Sequence, residues 1–417
     1  MNRMTRRQYL AASAAAAVAV PLVPQRLDAQ AAIATLSDPQ QFDTGGLIYL
    51  DSGSQHPLPK VARKAGDDYL ARRALDPAVP SPRPDDDLVR AKFARLINAD
   101  ADEIAFVPST SAAEQMVLRA LGLPERGAHI VSDTLHFFGS FPIYGEMARQ
   151  GCEVSWVRAV DGRIRIEHVE AAVRKGTRLV ALSLVSTYNG FAHDLARICE
   201  IAHAAGAMVY ADIIHAAGCI PLDVRASGVD FAACASYKWL MGDFGLGFLY
   251  VRKDRLAGLR RPSAGYYGVQ SFTSHVYPLD PPGDAVADYS FAETAMGYFA
   301  QGTFSHSTAA ILDTSLDLLH AMGPDRIQAQ VQPMVQRLKQ ELPRLGYALA
   351  SPEEARTPLA TFTLANAAER LRAPLAAARI RLTVSRNRFR VTPSVFNSMA
   401  DIDALIDLLK RPELRNG

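Results

Sequence analysis

Short runs of consecutive apolar residues alternate along this chain with longer stretches whose apolar positions recur every three or four residues. The short runs are Glu103-Ile-Ala-Phe-Val107, His129-Ile-Val-Ser132, Glu153-Val-Ser-Trp156, Arg178 to Val185, Met208-Val-Tyr-Ala-Asp212, Phe231 to Ala235 and Gly247 to Val251. Brief, apolar on both faces and followed by turn residues, they predict the strands of a buried, mostly parallel sheet. Helical spacing is predicted between them from Ser111, toward Gln150, over Glu167 to Arg174 and over Leu195 to Ala205. Strands and helices in alternation define an α/β fold. Upstream, Leu47 to Leu50 reads as a short strand and Leu58 to Ala74 as a helix, followed by a Pro- and Asp-rich loop from Asp76 to Asp87.

Beyond Val251 the pattern changes. Gly265 to Ala295 is rich in aromatics, Pro and Gly and reads as a long loop over the site, since long loops in compact domains are commonly functional. Helices near Thr308 to Met322 and from Ile327 onward lead to a smaller domain. Its strands are predicted near Thr361 to Leu364, Ile380 to Val384 and Phe389 to Val391, with a helix over Asp401 to Leu409. The expected division is a leader over 1–31, an N-terminal segment over 32–57, a large domain over 58–300 and a linking helix with a small domain over 301–417.

Composition adds exclusions. The 417 residues are 49% hydrophobic and 21% charged, with net charge +2, as in an ordinary globular protein of more than one domain. The charges are dispersed and pairs such as Arg72-Arg73 read as solvated faces, so no nucleic-acid partner is expected. Thr5-Arg-Arg-Gln-Tyr-Leu10, an alanine and valine run to Leu22, and Ala29-Gln-Ala31 read as a twin-arginine export signal. The apolar run falls short of the roughly 20 residues of a membrane span, so no stable membrane association is expected. Passage through the twin-arginine translocon, removal of the signal and a periplasmic location follow. Cys152, Cys199, Cys219 and Cys234 lie in apolar contexts without CxxC spacing, and read as buried single thiols from which no disulfide pairing follows. No metal site is expected, because no ligand cluster is present.

The candidate chemistry centres on Lys238, set between the apolar run Cys234 to Tyr237 and a glycine-rich turn. Upstream, the strand from Met208 delivers Asp212 and then His215 at its carboxyl edge. An amine held at Lys238 can form a Schiff base, and an aspartate at this distance before it can keep a pyridine nitrogen protonated, which points to pyridoxal phosphate. No G-x-G-x-x-G follows the first strand, which disfavours a nucleotide-binding Rossmann protein.

From Asp51 to Asn397 these ordered motifs resemble the class V aminotransferase family of pyridoxal-phosphate fold type I, which includes cysteine desulfurases, kynureninases and isopenicillin N epimerase-like proteins. The resemblance implies a large domain with a seven-stranded, mostly parallel sheet and a smaller α+β C-terminal domain. It implies catalytic roles for Lys238, Asp212 and His136, whose ring would stack on the pyridine face. Thr110 and Ser111, between strand and helix, would cradle the phosphate, although either also suits a helix cap. Thr187 stands where relatives carry asparagine or serine for the phenolic oxygen, with His215 as that oxygen's second partner. Tyr237 replaces the histidine that desulfurases have before the lysine, and offers a hydroxyl to the phosphate or simply packs.

Phe299-Ala-Gln-Gly302-Thr303 resembles the segment that reaches the phosphate of a neighbouring subunit, implying a homodimer. Arg390 matches the arginine that clamps the substrate α-carboxylate by register, although Arg388 shares its strand face. The implied activity is on the α-carbon of an amino acid or peptidyl amine, with transamination first and epimerisation, lyase or decarboxylase chemistry, including siderophore tailoring in the periplasm, as alternatives. Thr357 to Arg390 contains no cysteine, which disfavours sulfur abstraction. A catalytically inactive binding protein of the same fold is the reading from another class.

Overall fold

The computed structural model describes residues 41–75 and 86–415; the export-signal reading and most of the Pro- and Asp-rich loop fall outside them. Strands are numbered in chain order: β1 Ile48–Tyr49, β2 Ile104–Val107, β3 His129–Asp133, β4 Glu153–Val157, β5 Thr177–Ser183, β6 Met208–Asp212, β7 Phe231–Ala235, β8 Gly247–Val251, β9 Val269–Ser274, β10 Ala287–Phe291, β11 Ala348–Leu349, β12 Ala360–Thr363, β13 Ile380–Arg381, β14 Thr383–Ser385 and β15 Arg388–Val391.

The main sheet has the order β2-β8-β7-β6-β5-β3-β4. Pairs among β7, β6, β5, β3 and β4 are parallel, and β8 runs antiparallel to both β7 and β2, so six strands share one direction. Residues alternate between two apolar layers: Ala105, Leu179, Ala181, Tyr210, Phe231 and Leu249 pack on one face, and Phe106, Val180, Leu182, Val209, Ala232 and Phe248 on the other. Burial on both faces is why these strands read as unbroken apolar runs.

A second sheet, β11-β12-β15-β14, is antiparallel and packs its own core of Phe362, Phe389 and Val391 against the helices Pro324–Arg344 and Met399–Leu409. The N-terminal strand β1 pairs parallel with β13 in a separate two-stranded sheet, which ties residues before the first helix to the core of this domain.

Three regions depart from the sequence expectations. A helix, Asp86–Leu96, begins where the loop was expected to continue. It buries Val89, Phe93 and Leu96, a face of only three large apolar residues that is easily passed over. The segment from Gly265 to Ala295 is not a long loop: β9 and β10 form an antiparallel hairpin with a bulge at Phe291. Its strands are largely exposed, so the period-2 signal of a half-buried sheet is absent. The single strand expected over Ile380 to Val384 is also divided, β13 pairing with β1 and β14 with β15.

Candidate active site

Five co-directional strands end on one edge of the main sheet, where crevices of such sheets bind ligands. β2 leads to Thr110 and Ser111, β3 to His136, β5 to Thr187, β6 to Asp212 and His215, and β7 to Lys238. Hydrogen bonds join most of these residues into two linked groups.

In the first, Lys238 Nζ lies 3.2 Å from His215 Nε2, and His215 Nε2 lies 3.1 Å from Thr187 Oγ1. Trp239 Nε1 donates to His215 Nδ1 at 3.2 Å. An indole N–H can only donate, so Nδ1 is an acceptor and the ring proton sits on Nε2, facing Lys238. An uncharged amine accepts from that N–H; an ammonium cannot. Burial acts in the same direction, lowering Lys238 to about 8 against the opposing pull of Asp212, and lowering His215 well below the ordinary histidine range. The close approach of Gly218, whose added Cβ would stand 2.6 Å from the Trp239 carbonyl oxygen, holds the 238–239 backbone in place. Capture of pyridoxal phosphate by the apoprotein should therefore accelerate about tenfold per pH unit and level off above about 8. Stopped-flow visible absorbance measures it; a rate still climbing at the ordinary lysine value would mean that the amine is unperturbed.

The second group runs through His136. Its Nε2 is 3.0 Å from Glu114 Oε1 and its Nδ1 2.9 Å from Ser183 Oγ, while Ser183 Oγ donates to Asp212 Oδ2 at 3.4 Å. Glu114 also accepts from Ser140 at 2.7 Å and Tyr144 at 2.6 Å. Desolvation opposes both charges of the His136–Glu114 pair, yet their attraction prevails, raising the imidazole and lowering the carboxyl. The His136 side chain is wholly enclosed and both nitrogens are engaged. It is thus held in place by Glu114 and Ser183 through hydrogen bonds that lie in the plane of its ring.

Asp212 accepts from Ile214 N at 2.9 Å but makes no ion pair among the described residues, and burial raises its carboxyl above the ordinary aspartate value. Ser109, not Thr110 or Ser111, caps the helix Thr110–Ala120, accepting from Ala112 N at 3.1 Å. Thr110 Oγ1 accepts from Ala235 N at 3.0 Å, so the first turn of the helix and the end of β7 are joined three residues before Lys238. Tyr237 stacks on Phe244 with centroids 4.5 Å apart.

Arg390 enters from the small sheet. Its Nη1 donates to Thr187 O at 2.9 Å and Thr187 Oγ1 at 2.7 Å, its Nη2 to Ser54 Oγ at 2.9 Å, and Asp51 Oδ1 lies 3.8 Å from Nη2. Arg390 Nε is buried without a partner. Arg388 instead lies over the Tyr188 ring at 4.6 Å, so only Arg390 reaches the Thr187–His215–Lys238 group. Gly302 and Thr303 are exposed and contact none of these residues. Sequence reasoning missed Glu114, Ser183, Trp239, Ser54 and Asp51. Glu114 alone had a signal, as a charged residue on the buried face of an apolar helix.

The fold and the buried lysine and aspartate define a pyridoxal-phosphate enzyme of fold type I. Residues 86–383 match the family model of aminotransferase class-V, and the chain belongs to that family. It is 27% identical over 321 residues to an uncharacterized aminotransferase, YcbU, of Bacillus subtilis, covering 77% of this chain and 82% of the relative. It is 29% identical over 299 residues to a probable cysteine desulfurase of Methanothermobacter thermautotrophicus, covering 70% and 71%. The apo structure of a cysteine desulfurase from Thermococcus onnurineus superposes with a TM-score of 0.77 at 21% identity, covering 89% of this chain and 96% of that one.

The cofactor of this enzyme is pyridoxal 5'-phosphate, and the donor set fits it. Asp212 is a buried carboxylate with no direct ion pair among the described residues, and a protonated pyridine nitrogen would supply one. The N-terminus of the helix Thr110–Ala120, with the partly exposed Ser111 hydroxyl, suits a phosphate. Among the described residues no group of His, Cys, Asp or Glu could hold a metal ion, and no helix is long and apolar enough to cross a membrane.

Proposed function

We propose that this enzyme is an aminotransferase acting on the α-carbon of an amino acid or a peptidyl amine. The observation that carries the reading is Arg390: a buried guanidinium with an unpartnered Nε, joined through Thr187 to the histidine that faces Lys238. A planar fork of this kind suits a carboxylate.

Bound pyridoxal phosphate supplies an aldehyde that condenses with amines and a ring that accepts the electron pair left when a bond to Cα breaks. The chain's own groups do the rest. Arg390 fixes the substrate carboxylate and so sets which Cα bond is presented for cleavage. Lys238 Nζ, whose proton affinity burial lowers and which faces His215 Nε2–H, takes the proton from Cα as a general base. Asp212 holds the compensating negative charge at the far side of the site, and Thr187 keeps the clamp and His215 in register.

A C–S lyase is the second reading, favoured by the desulfurase among the relatives. Against a desulfurase that takes up sulfur on a cysteine, the four cysteines are buried, and burial raises the Cys199 thiol to about 12 and Cys219 and Cys234 further from reactivity. The test is the visible spectrum of the holoenzyme after addition of single amino acids or peptide amines without a keto acid. Loss of the band with release of one keto product is expected; release of ammonia or sulfide instead would defeat the transaminase reading.

Export to the periplasm rests on the paired Arg6-Arg7 and the apolar run after them. The homodimer reading is supported by the exposure of Gly302 and Thr303 in the single chain, where they are available to a neighbouring subunit.

A further inference from the structure

On the small sheet, Thr361, Arg390 and Thr383 are cross-strand neighbours and form one row across β12, β15 and β14. Two residues along and on the same face, Thr363, Arg388 and Ser385 form the next row, ~7 Å away at the rise of an antiparallel strand. The first row belongs to the active site, because Arg390 reaches Thr187, Ser54 and Asp51. The second row opens into a cleft of about 790 Å³.

That cleft is lined by four arginines, Arg370, Arg386, Arg388 and Arg415, and by no Asp or Glu. None of the four makes an ion pair among the described residues. Arg370 Nη2 and Arg415 Nε are buried without a hydrogen-bond partner. Guanidiniums gathered from a helix, a turn, a strand and the chain's last described turn repel one another; Arg386 and Arg388 are exposed, Arg370 and Arg415 half-buried, and no carboxylate lines the cleft to neutralise them. The cleft borders the active site: Arg388 lies over the ring of Tyr188, whose preceding residue, Thr187, contacts both Arg390 and His215.

We propose that this cleft is a second anion site of the enzyme, and that its substrate is an amine with one acid group at Arg390 and another, carboxylate or phosphate, at Arg388 and its neighbours. The inference rests on Arg390 as the clamp for the first carboxylate. A matched pair of charge-assisted contacts about 7 Å apart selects for chain length as well as charge, since a shorter diacid reaches only one row. An amino acid whose side chain ends in a methyl group leaves the cleft's guanidiniums unpaired and is discriminated against.

The test is equilibrium titration of the holoenzyme's visible spectrum, without keto acid, by L-2-aminoadipate, O-phospho-L-homoserine and L-norleucine. These match in length and differ in the terminal group. At least one of the two acids should bind about tenfold or more tighter than norleucine, the size of one charge-assisted contact. Which acid binds better identifies the terminal anion, and either supports the site. In Arg388→Gln/Arg386→Gln the ratio of acid to norleucine affinities should fall toward one. Arg370→Gln, on the separate helix Ala367–Ala377, should lower it in part and guards against a folding defect of the double variant. Equal affinities in the wild type, or a ratio that survives these substitutions, would overturn the inference. Arg390→Gln separates it from the functional reading: loss of norleucine binding upholds the clamp whatever the cleft does, and unchanged norleucine binding sinks the clamp and with it the two-ended substrate.

Discussion

Lys238→Ala protein should lose turnover by ~10⁴-fold, the upper end of what a single proton-transfer group contributes, because covalent attachment and the proton carrier go together. Borohydride reduction followed by peptide mass spectrometry is the measurement that checks attachment directly. In the wild type the cofactor should be fixed on the peptide containing Lys238, and in the variant on none. Cofactor found on another lysine would remove Lys238 from its place in the site. The variant should fold, since Lys238 makes no ion pair and its burial as an amine is itself unfavourable.

Asp212→Asn is expected to separate activity from stability. The amide can still accept from Ile214 N, so the local hydrogen bonding survives, but the negative charge is gone. Turnover should fall by ~10²–10³-fold, as when one preorganised electrostatic partner is removed. Stability should move the other way. A carboxyl raised in the folded state by burial contributes stability in full below its ordinary unfolded value and loses it as pH rises through the folded value. Once pH exceeds the folded value the apoprotein carries an ionised Asp212 without a direct ion pair among the described residues, and there Asp212→Asn should match or exceed the wild-type Tm. A Tm that falls along with activity would mark Asp212 as a structural residue.

Much of the fold was legible because its strands are buried on both faces. β7 and β8 lie where the apolar runs Phe231 to Ala235 and Gly247 to Val251 placed them. Lys238, Asp212, His215 and Thr187 were legible for a related reason: each follows directly on such a strand, and in a parallel sheet that position is the site's edge. The helix Asp86–Leu96 and the β9–β10 hairpin were not, since one buries few residues and the other little of either strand. Arg388 and Arg390 could not be separated by alternation, which puts them on one face; the contact with Thr187 distinguishes them. Glu114, Ser183 and Trp239 act on the site through other side chains, so no motif spacing announces them. His136 illustrates the reverse, a position that register identifies and whose surroundings give it two partners the sequence did not indicate.

The pairing of β1 with β13, and of Ser54 with Arg390 across 336 residues, sets an order on the birth of the enzyme. Everything proposed to hold the cofactor within one chain lies between Ser109 and Lys238, in contacts of modest sequence separation. The substrate clamp instead requires the first described strand to meet one of the last. As a chain leaves the ribosome its amino-terminal parts fold first, and contacts spanning the whole length form late. A nascent chain can therefore close around pyridoxal phosphate before its substrate clamp is assembled.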